Sequence, residues 1–223
     1  LPLLGLAPAE TTRDAFDPIC VINGEPAAII IRADSRWNTI QDILAEAKEK
    51  PGAVQLANSG MGNIWHLSAI GIELETGASF NHVPFDGAAS ALTAVLGGHV
   101  DAVTCSAAEA ASNIASVELK VLAVANTERL EAYPDVPTFQ EVGVDLTIVA
   151  LRGLCVNKDT PDNVKKALCD GFEKVINSDA CREKIEAANM TYMPLNAQET
   201  NDILDSMSGN FEKIINAYLN SAN

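Results

Sequence analysis

The sequence predicts an α/β fold with mostly parallel sheets, and three features of the chain support this class. From Ala53 onward, short apolar segments alternate with amphipathic ones, as strands alternate with helices in such folds. Segment 27–31 is a continuous apolar run, which is typical of a buried strand. Gly-rich turns follow two of the predicted strands and lead directly into helices. At 223 residues, the chain is long enough for one large domain or two smaller ones.

The first part of the chain is predicted to hold two strands and one helix. Residues 1–17 contain turn formers without a clear period, so we expect an irregular lead-in. Strands follow at 19–22 and 27–31. Thr39 begins a helix that ends before Pro51. Its apolar residues fall on one face: Ile40, Ile43, Leu44 and Ala47.

The middle of the chain is predicted to hold four strands and three helices in alternation. The strands are expected at 53–57, 79–84, 100–104 and 119–125. The helices are expected at 63–75, 87–97 and 107–115. Because a helix lies between most consecutive strands, we expect the strands to be mostly parallel.

The last part of the chain is predicted to be richer in helix. A proline-rich loop leads into a short helix that ends at Gly143, and extended structure resumes at 146–150 and 153–156. Thr160 is predicted to cap a helix that has proline at its first position and runs to about 177. Two further helices, at 179–188 and 197–219, flank a short strand at 191–193.

The charge of the chain excludes some classes of partner. Lys and Arg number 15 against 30 Asp and Glu, so the formal net charge is −15. This charge argues against a nucleic acid or an anionic membrane as partner. It does not exclude an anionic ligand, because salt screens surface charge over about 8–10 Å and local amides then decide affinity. No apolar run is long enough to span a bilayer, and the first residues lack the basic start of a signal peptide.

The cysteines predict neither a metal site nor a cofactor. They form no CxxC pair, and no histidine lies at metal-ligand spacing from them. Their odd number leaves at least one thiol unpaired, and their apolar or helical surroundings favour buried thiols. A disulfide between Cys169 and Cys181 remains an alternative for that pair. The five are Cys20, Cys105, Cys155, Cys169 and Cys181.

Two strand-to-helix junctions are predicted to bind an anion. The first is segment 55–67, Gln-Leu-Ala-Asn-Ser-Gly-Met-Gly-Asn-Ile-Trp-His-Leu, and the second is segment 81–92, Asn-His-Val-Pro-Phe-Asp-Gly-Ala-Ala-Ser-Ala-Leu. The first N–H groups of a helix have no intrahelical partner, and the aligned peptide dipoles favour negative charge there. A carboxylate or a phosphate would fit such a junction.

The residue types of the first turn suit this role. Gly60 and Gly62 let the backbone approach a ligand closely. Asn58, Ser59 and Asn63 add short polar side chains that can contact a ligand or cap the helix. An ordinary N-cap at Ser59 or Asn63 is therefore the alternative interpretation.

Three residues near these junctions have two interpretations each. His66 lies one turn into the first helix, where it could reach a ligand or pack in the interior. Ser106 follows a predicted strand at its carboxyl end, where open α/β sheets place ligands. Cys105 could be a nucleophile, but no partner base can be assigned, so a buried thiol is preferred. We therefore predict no catalytic residue; an enzyme that uses Ser59 or Cys105 is the alternative.

With these segments in view, the chain resembles the solute-binding proteins of tripartite tricarboxylate transporters, the TctC or Bug-type family. The resemblance covers nearly the whole chain, from 16–19 to the C-terminal helix. Its most specific pieces are segments 58–67, 82–87, 91–101 and 133–138, with Arg129.

The resemblance implies a fold and a function. The fold is a two-lobed clamp of the periplasmic-binding-protein type II class, with residues 1–53 and 148–223 in the first lobe and 54–147 in the second. The implied function is the capture of a small organic acid in the interlobe cleft and its delivery to membrane permease subunits. Such a protein works outside the cytoplasm, as a monomer and without catalysis. An effector domain of a transcription regulator, or a sensor domain, is the alternative function of this fold.

The resemblance also implies how the ligand is held. Backbone amides, small hydroxyl or amide side chains and water would bind the carboxylate at 58–63, a segment that includes Met61. At the second turn, Phe85 would form an apolar wall, while Gly87 and Ala88 would supply amides at a helix N-terminus.

Three departures from the family pattern stand out. Nothing in 1–17 matches the family's opening strand and Gly-rich turn, so we expect this segment to be absent. Asp86 replaces a basic or polar residue; it faces solvent or selects a ligand that bears an amine. Arg152 replaces an aromatic residue, and its guanidinium could bind a second carboxylate bidentately. A surface arginine is the alternative for Arg152.

Overall fold

The structure, a computed structural model, describes residues 12–221, and the chain divides into two compact units. The first unit contains the described residues up to Glu25 and those from Ala150 onward. The second unit is Pro26–Val149. The first unit is thus built from two separate segments of the sequence. Within residues 12–221, no helix is both long enough and apolar enough to cross a membrane.

Strands and helices alternate in the second unit. Strand β1 (Phe16–Arg32) begins in the first unit and ends in the second. A 3₁₀ turn at Gln140–Val142 precedes Gly143, which adopts φ +83°. The other elements are α1 (Ile40–Glu49), β2 (Gln55–Asn58), α2 (Ile64–Thr76), β3 (Asn81–Pro84), α3 (Ala88–Leu96), β4 (Ala102–Ser106), α4 (Ala111–Ala115) and β5 (Leu119–Val124).

The sheet of the second unit has the strand order β3-β2-β4-β1-β5. Strand β2 pairs in parallel with both β3 and β4, whereas β1 runs antiparallel to β4 and β5. The predicted α/β class is therefore confirmed, and the parallel pairs lie where strands and helices alternate. The core of the sheet is formed by the fully buried residues Ile29, Ile30, Ile31, Leu56 and Val103.

Helix α1 forms as its sequence predicts. Thr39 and Asp42 make a capping box, in which Thr39 Oγ1 accepts the N–H of Asp42 at 3.2 Å and Asp42 Oδ2 accepts the N–H of Thr39 at 2.9 Å. The Asp42 carboxylate accepts backbone N–H bonds from Asn38 and Thr39, which lower its pKa. The residues of the predicted apolar face are buried: Ile40, Ile43, Leu44 and Ala47.

Residues 26–53 belong to the second unit, whereas the family resemblance implied a first lobe of residues 1–53 and 148–223. Two sets of contacts explain this difference. The latter part of β1 pairs with β4 and β5 through residues 27–32. In the last turn of α1, the carbonyl of Ala47 accepts the N–H of Ser79 at 3.1 Å.

The two strands predicted at 19–22 and 27–31 form one continuous strand. The sequence suggested a break because Asn23, Gly24 and Pro26 are turn formers. The structure stabilises the extended chain through the buried carboxylate of Glu25. Its Oε1 accepts from Asn23 Nδ2 at 3.1 Å and from the backbone N–H of Thr191 at 2.8 Å.

The first unit combines strands with three helices. Its elements are β6 (Val149–Asn157), α5 (Asp162–Ile176), α6 (Asp179–Ala187), β7 (Tyr192–Asn196) and α7 (Ala197–Ser221). The early part of β1 pairs antiparallel with β7 and also pairs with β6. Buried Ile19, Cys20 and Ile176 form a small cluster against which Cys169 packs. All five cysteines are free thiols, so Cys169 and Cys181 are not bridged.

The structure differs from three further predictions of the sequence analysis or does not cover them. Strand β6 runs without a break from Val149 to Asn157, so it spans the gap predicted between 146–150 and 153–156, while residues 146–148 lie outside it. A Cβ at Gly153 would lie 2.1 Å from the Cys20 carbonyl oxygen. Pro161, not Thr160, is the N-cap of α5. Residues 1–11 of the predicted irregular lead-in lie outside the described residues; strand structure begins at Phe16, within the predicted lead-in.

Candidate anion-binding site

The turn between β2 and α2 depends on two glycines. Asn58, the last residue of β2, is fully buried, and its Oδ1 accepts the N–H of Gly60 at 3.0 Å. Gly60 has φ +115° and Gly62 has φ +74°. These values lie in the region that residues with a Cβ rarely adopt. The Ser-Gly-Met-Gly sequence therefore folds into a tight turn that ends at Asn63, the N-cap of α2.

The turn between β3 and α3 packs against the first one. The N–H of Phe85 donates to the carbonyl of Asn58 at 3.0 Å, and a Cβ at Gly60 would lie 3.6 Å from the carbonyl oxygen of Phe85. Phe85 is half-buried, and Gly87 is the N-cap from which α3 starts at Ala88. The structure thus brings both predicted turns together within the second unit.

Neither of the two helices has a side-chain cap. Asn63 and Gly87 are their N-cap residues, and no side chain bonds to the N-terminal amides there. Intrahelical bonding begins with Leu67 N–H in α2, which leaves the earlier N–H groups of that turn without an i−4 acceptor. By contrast, Thr39 and Ser178 cap α1 and α6 with their hydroxyls. Of the two residues in the alternative interpretation, Asn63 is the N-cap of α2 and Ser59 is not, but the Asn63 side chain makes no capping hydrogen bond.

Three of the four buried side-chain polar atoms without a partner, among the described residues, lie on or beside the last residue of β2. Among residues 12–221 there are four such side-chain atoms: Asn58 Nδ2, Ser59 Oγ, Thr104 Oγ1 and His82 Nδ1. Leu56 lies opposite Ala102 in the β2–β4 register, so Asn58 and Thr104 share one face of the sheet. Both residues are 0% exposed. Buried polar groups are normally hydrogen-bonded, which makes this group of atoms a candidate for ligand contacts.

The sequence did not single out Thr104. Its only local signal is a hydroxyl residue inside the buried strand Ala-Val-Thr-Cys-Ser, which by itself is common. Its place in the candidate site depends on Asn58, which lies beside it on β2, and this neighbour is known only from the strand register.

His66 contacts the turn from the interior. It is 1% exposed, and its Nδ1 accepts the N–H of Gly62 at 3.0 Å. Its ring packs edge-on against His82, with ring centroids 4.9 Å apart, and His82 Nε2 lies 3.1 Å from Glu73 Oε2. Burial, followed by the neighbouring His82, lowers the pKa of His66 to about 4. The ring is therefore neutral at pH 7 and supports the backbone of the turn.

The Ser106 hydroxyl has partners within its own turn. Its Oγ donates to Glu109 Oε2 at 3.0 Å and accepts the N–H of Glu109 at 3.3 Å, while the N–H of Ser106 also donates to Glu109 Oε2. This reciprocal pattern has the Ser-x-x-Glu spacing of a capping box, a signal that the sequence already carried. Neighbouring Cys105 is fully buried, and burial strongly raises the pKa of its thiol.

The remaining predicted contacts lie at the surface. Met61 is 44% exposed between the two glycines, and Asp86 is exposed beside Gly87. Arg152 is an exposed residue of β6 in the first unit, whereas the other predicted site residues belong to the second unit. Over residues 12–221, no three His, Cys, Asp or Glu side chains are grouped so that they could hold a metal ion.

Comparisons with known proteins identify the family and the fold of the chain. The family model described as "Tripartite tricarboxylate transporter family receptor", TctC, matches residues 8–219. A TctC solute-binding protein from Polaromonas, solved without ligand, is 36% identical and superposes with a TM-score of 0.84, over 97% of this chain and 74% of its own. MatC from Rhodopseudomonas palustris, solved with bound malate, has the same fold at 20% identity and a TM-score of 0.80, over 95% of this chain and 74% of its own.

A curated relative is also similar. The UPF0065 protein of the gbd 5′ region of Cupriavidus necator is 28% identical over 195 residues, which is 85% of this chain. The chain spans only 59% of the length of that relative and 65% of the length of a second one, from Pseudomonas sp. strain P51. Because the family model covers nearly the whole chain and the Polaromonas protein is 36% identical in an alignment that covers 97% of this chain, this chain belongs to the TctC family of tripartite tricarboxylate transporter receptors.

Proposed function

We propose that this protein captures a small organic acid outside the cytoplasm and delivers it to the permease subunits of a tripartite transporter. Membership of the TctC receptor family supports this general role. One observation carries the assignment of the site. Asn58 Nδ2 is a fully buried donor without a partner, and it lies where two turns meet, each of which leads into a helix without a side-chain cap.

A carboxylate would supply the hydrogen-bond acceptors that the unpaired donors of this turn lack. Its oxygens would accept from Asn58 Nδ2, from Ser59 Oγ and from the first amides of α2. Hydrogen bonds to a charged group contribute about 1.5–3 kcal/mol each, and the helix dipole adds a smaller favourable term. Gly87 and Ala88 would contribute the amides of α3 in the same way.

Recognition at this turn depends on dipoles. None of the predicted contacts in the second unit is Lys or Arg, and His66 is neutral at pH 7 because its pKa is about 4. A carboxylate bound by oriented N–H and O–H groups does not require a basic surface. This explains how a chain of net charge −15 can take up an anion.

We propose a dicarboxylate or tricarboxylate as the ligand. The fold neighbour MatC was solved with malate, which is a dicarboxylate. Half-buried Phe85 and exposed Met61 would flank the carbon skeleton. We propose no catalysis, because Cys105 is held as a neutral thiol and Ser59 has no base beside it among the described contacts.

Thermal unfolding with a panel of acids tests the proposal. The panel contains citrate, succinate, malate, aspartate and glutamate, and succinamide serves as a neutral control of matched size. A ligand at a hundredfold excess over its Kd adds about 2.7 kcal/mol, or roughly 5–10 °C in Tm for a chain of this size. We expect at least one acid to raise Tm while succinamide does not. Equal shifts with succinamide, or no shift with any acid, would contradict carboxylate binding.

A further inference from the structure

We propose that His66 is a positioning residue that holds the anion-binding turn in shape through Gly62, and that protonation of His66 releases this hold. The proposed consequence for ligand binding rests on the function proposed above. The contact between His66 and Gly62 can be tested without any ligand. The role of His66 in the turn can therefore be measured independently of ligand binding.

The contact occupies a position that helices use for capping. His66 is the third residue of α2, and its Nδ1 accepts the N–H of Gly62, which immediately precedes the N-cap. In α1 the third residue, Asp42, accepts the N–H of the N-cap Thr39 in the same manner. His66 therefore works like the acidic partner of a capping box, displaced by one residue.

The acceptor in α2 differs from a carboxylate in one chemical respect. An imidazole nitrogen accepts a hydrogen bond only while it carries no proton. The bond from Gly62 therefore fixes neutral His66 as the tautomer with its proton on Nε2. When Nδ1 is protonated, two N–H groups face each other, and the bond to Gly62 is lost.

The loss would act directly on the turn. Gly62 has φ +74° and lies between Met61 and the N-cap Asn63. Because glycine adopts many backbone conformations with similar ease, the hydrogen bond to His66 helps to fix this one. The N–H groups proposed to bind the carboxylate follow directly after it. Without its acceptor, a buried Gly62 N–H would be left unpaired, which the turn can relieve only by moving.

The surroundings of His66 resist its protonation. The ring is buried against His82 of β3, and His82 is bonded to Glu73 of α2. The second Glu73 oxygen, Oε1, accepts the N–H of Phe80 at 2.6 Å. Burial and His82 lower the pKa of His66 to about 4, while Glu73 opposes them less strongly. The hold on Gly62 therefore persists at neutral pH and weakens only in acid.

Nitrogen NMR of the ¹⁵N-labelled chain, without ligand, tests the contact itself. At pH 7 we expect the Nε2–H tautomer of His66 and a measurable coupling across the hydrogen bond between the Gly62 amide nitrogen and Nδ1. On acidification, the Gly62 amide signal should shift together with the His66 ring signals. An Nδ1–H tautomer of His66, or a Gly62 amide signal that does not shift while His66 titrates, would overturn the proposal.

Two substitutions test the consequence for binding, with malate as the probe. His66→Asn places an acceptor oxygen near the position of Nδ1 but cannot take up a proton, whereas His66→Leu removes the acceptor. At pH 7 we expect the Kd for malate to stay within about threefold for His66→Asn and to rise tenfold or more for His66→Leu. Equal affinity of His66→Leu and the parent chain would overturn the proposal.

A comparison of the parent chain with His66→Asn isolates the pH effect. The protonation of malate itself cancels when the two proteins are compared at one pH. At pH 4, where about half of His66 is protonated, the parent chain should lose about twofold in affinity relative to His66→Asn. An unchanged ratio between pH 7 and pH 4 would contradict the proposal. If no acid binds to the parent chain, the proposed function fails, and the NMR result still decides the role of His66.

Discussion

The backbone N–H of Phe85 donates to the carbonyl of Asn58 across 3.0 Å and joins the two turns of the second unit. Strands β2 and β3 are parallel, with Asn58 paired to Pro84, so both strands end at the same edge of the sheet. Each continues into a helix whose N-terminus has no side-chain cap. The alternation of strands and helices therefore places two sets of helix N-terminal amides side by side, where open α/β sheets bind ligands.

Removal of the Ser59 hydroxyl should separate binding from stability. The Ser59 Oγ atom is buried without a partner, so Ser59→Ala should leave Tm unchanged or raise it slightly. If this hydroxyl binds the ligand carboxylate, the Kd should rise roughly ten- to hundredfold. Titration calorimetry with the best acid of the panel, beside thermal unfolding, measures both effects.

Ser106→Ala provides the matched control. The Ser106 hydroxyl bonds to Glu109, so its loss should cost about 0.5–2 kcal/mol of stability and leave the Kd unchanged. If Ser59→Ala and Ser106→Ala have the same effect on binding, the assignment of Ser59 is wrong.

Gly62→Ala should disturb the turn as well as stability. Gly62 has φ +74°, where an alanine is strained by about 1 kcal/mol or more. Gly52 has φ +75° in the second unit, and a methyl group added there would meet no other atom within 4 Å, so Gly52→Ala carries the same backbone strain elsewhere. We expect both variants to lose similar stability in urea unfolding, while only Gly62→Ala loses acid binding. Retained binding in Gly62→Ala would show that the turn tolerates a different shape.

His66 should make the protein less stable in mild acid. Its pKa is about 4 in the folded protein, below the ordinary value of 6.5, so the unfolded chain binds more protons between these values. The free energy of unfolding should therefore fall as pH drops from about 6.5 to 4, by about 3 kcal/mol in total, and the loss is complete below pH 4. Urea unfolding at several pH values in this range measures the slope.

His66→Asn is the control for that slope. Asparagine does not titrate, so the decline between pH 6.5 and 4 should be smaller by most of this amount. Carboxylates with lowered pKa values, such as Asp42, lose their contribution at lower pH and should behave alike in both proteins. An identical slope in the two proteins would show that His66 is not the titrating group.

Substitution of Arg152 tests the sequence expectation that its guanidinium binds a second carboxylate. It is exposed on β6, and a guanidinium can bind a carboxylate with two parallel hydrogen bonds. If Arg152 binds a second carboxylate, Arg152→Gln should raise the Kd for malate tenfold or more. The Kd for a monocarboxylate such as butyrate should not change. Equal effects on the two acids, or no effect on either, would support the alternative of a surface arginine. Calorimetry with both acids decides between these outcomes.

The sequence by itself determined the features that depend on neighbouring residues. The capping box at Thr39 and the buried face of α1 follow from short spacings along one helix. The positive φ angles of Gly60 and Gly62 follow from the steric freedom that only glycine has. The alternation of strands and helices predicted the α/β class because each element type has its own period.

The tertiary structure decided the features that depend on distant partners. Strand β1 continues through Asn23 because the Glu25 carboxylate meets the backbone of Thr191, which is 166 positions away along the chain. Thr104 joins Asn58 because the register of β2 and β4 places them on one face. His66 points inward because its ring packs against His82, a contact that helix periodicity alone cannot reveal. Local rules fix which element forms, whereas the environment of a polar side chain depends on which elements pack around it.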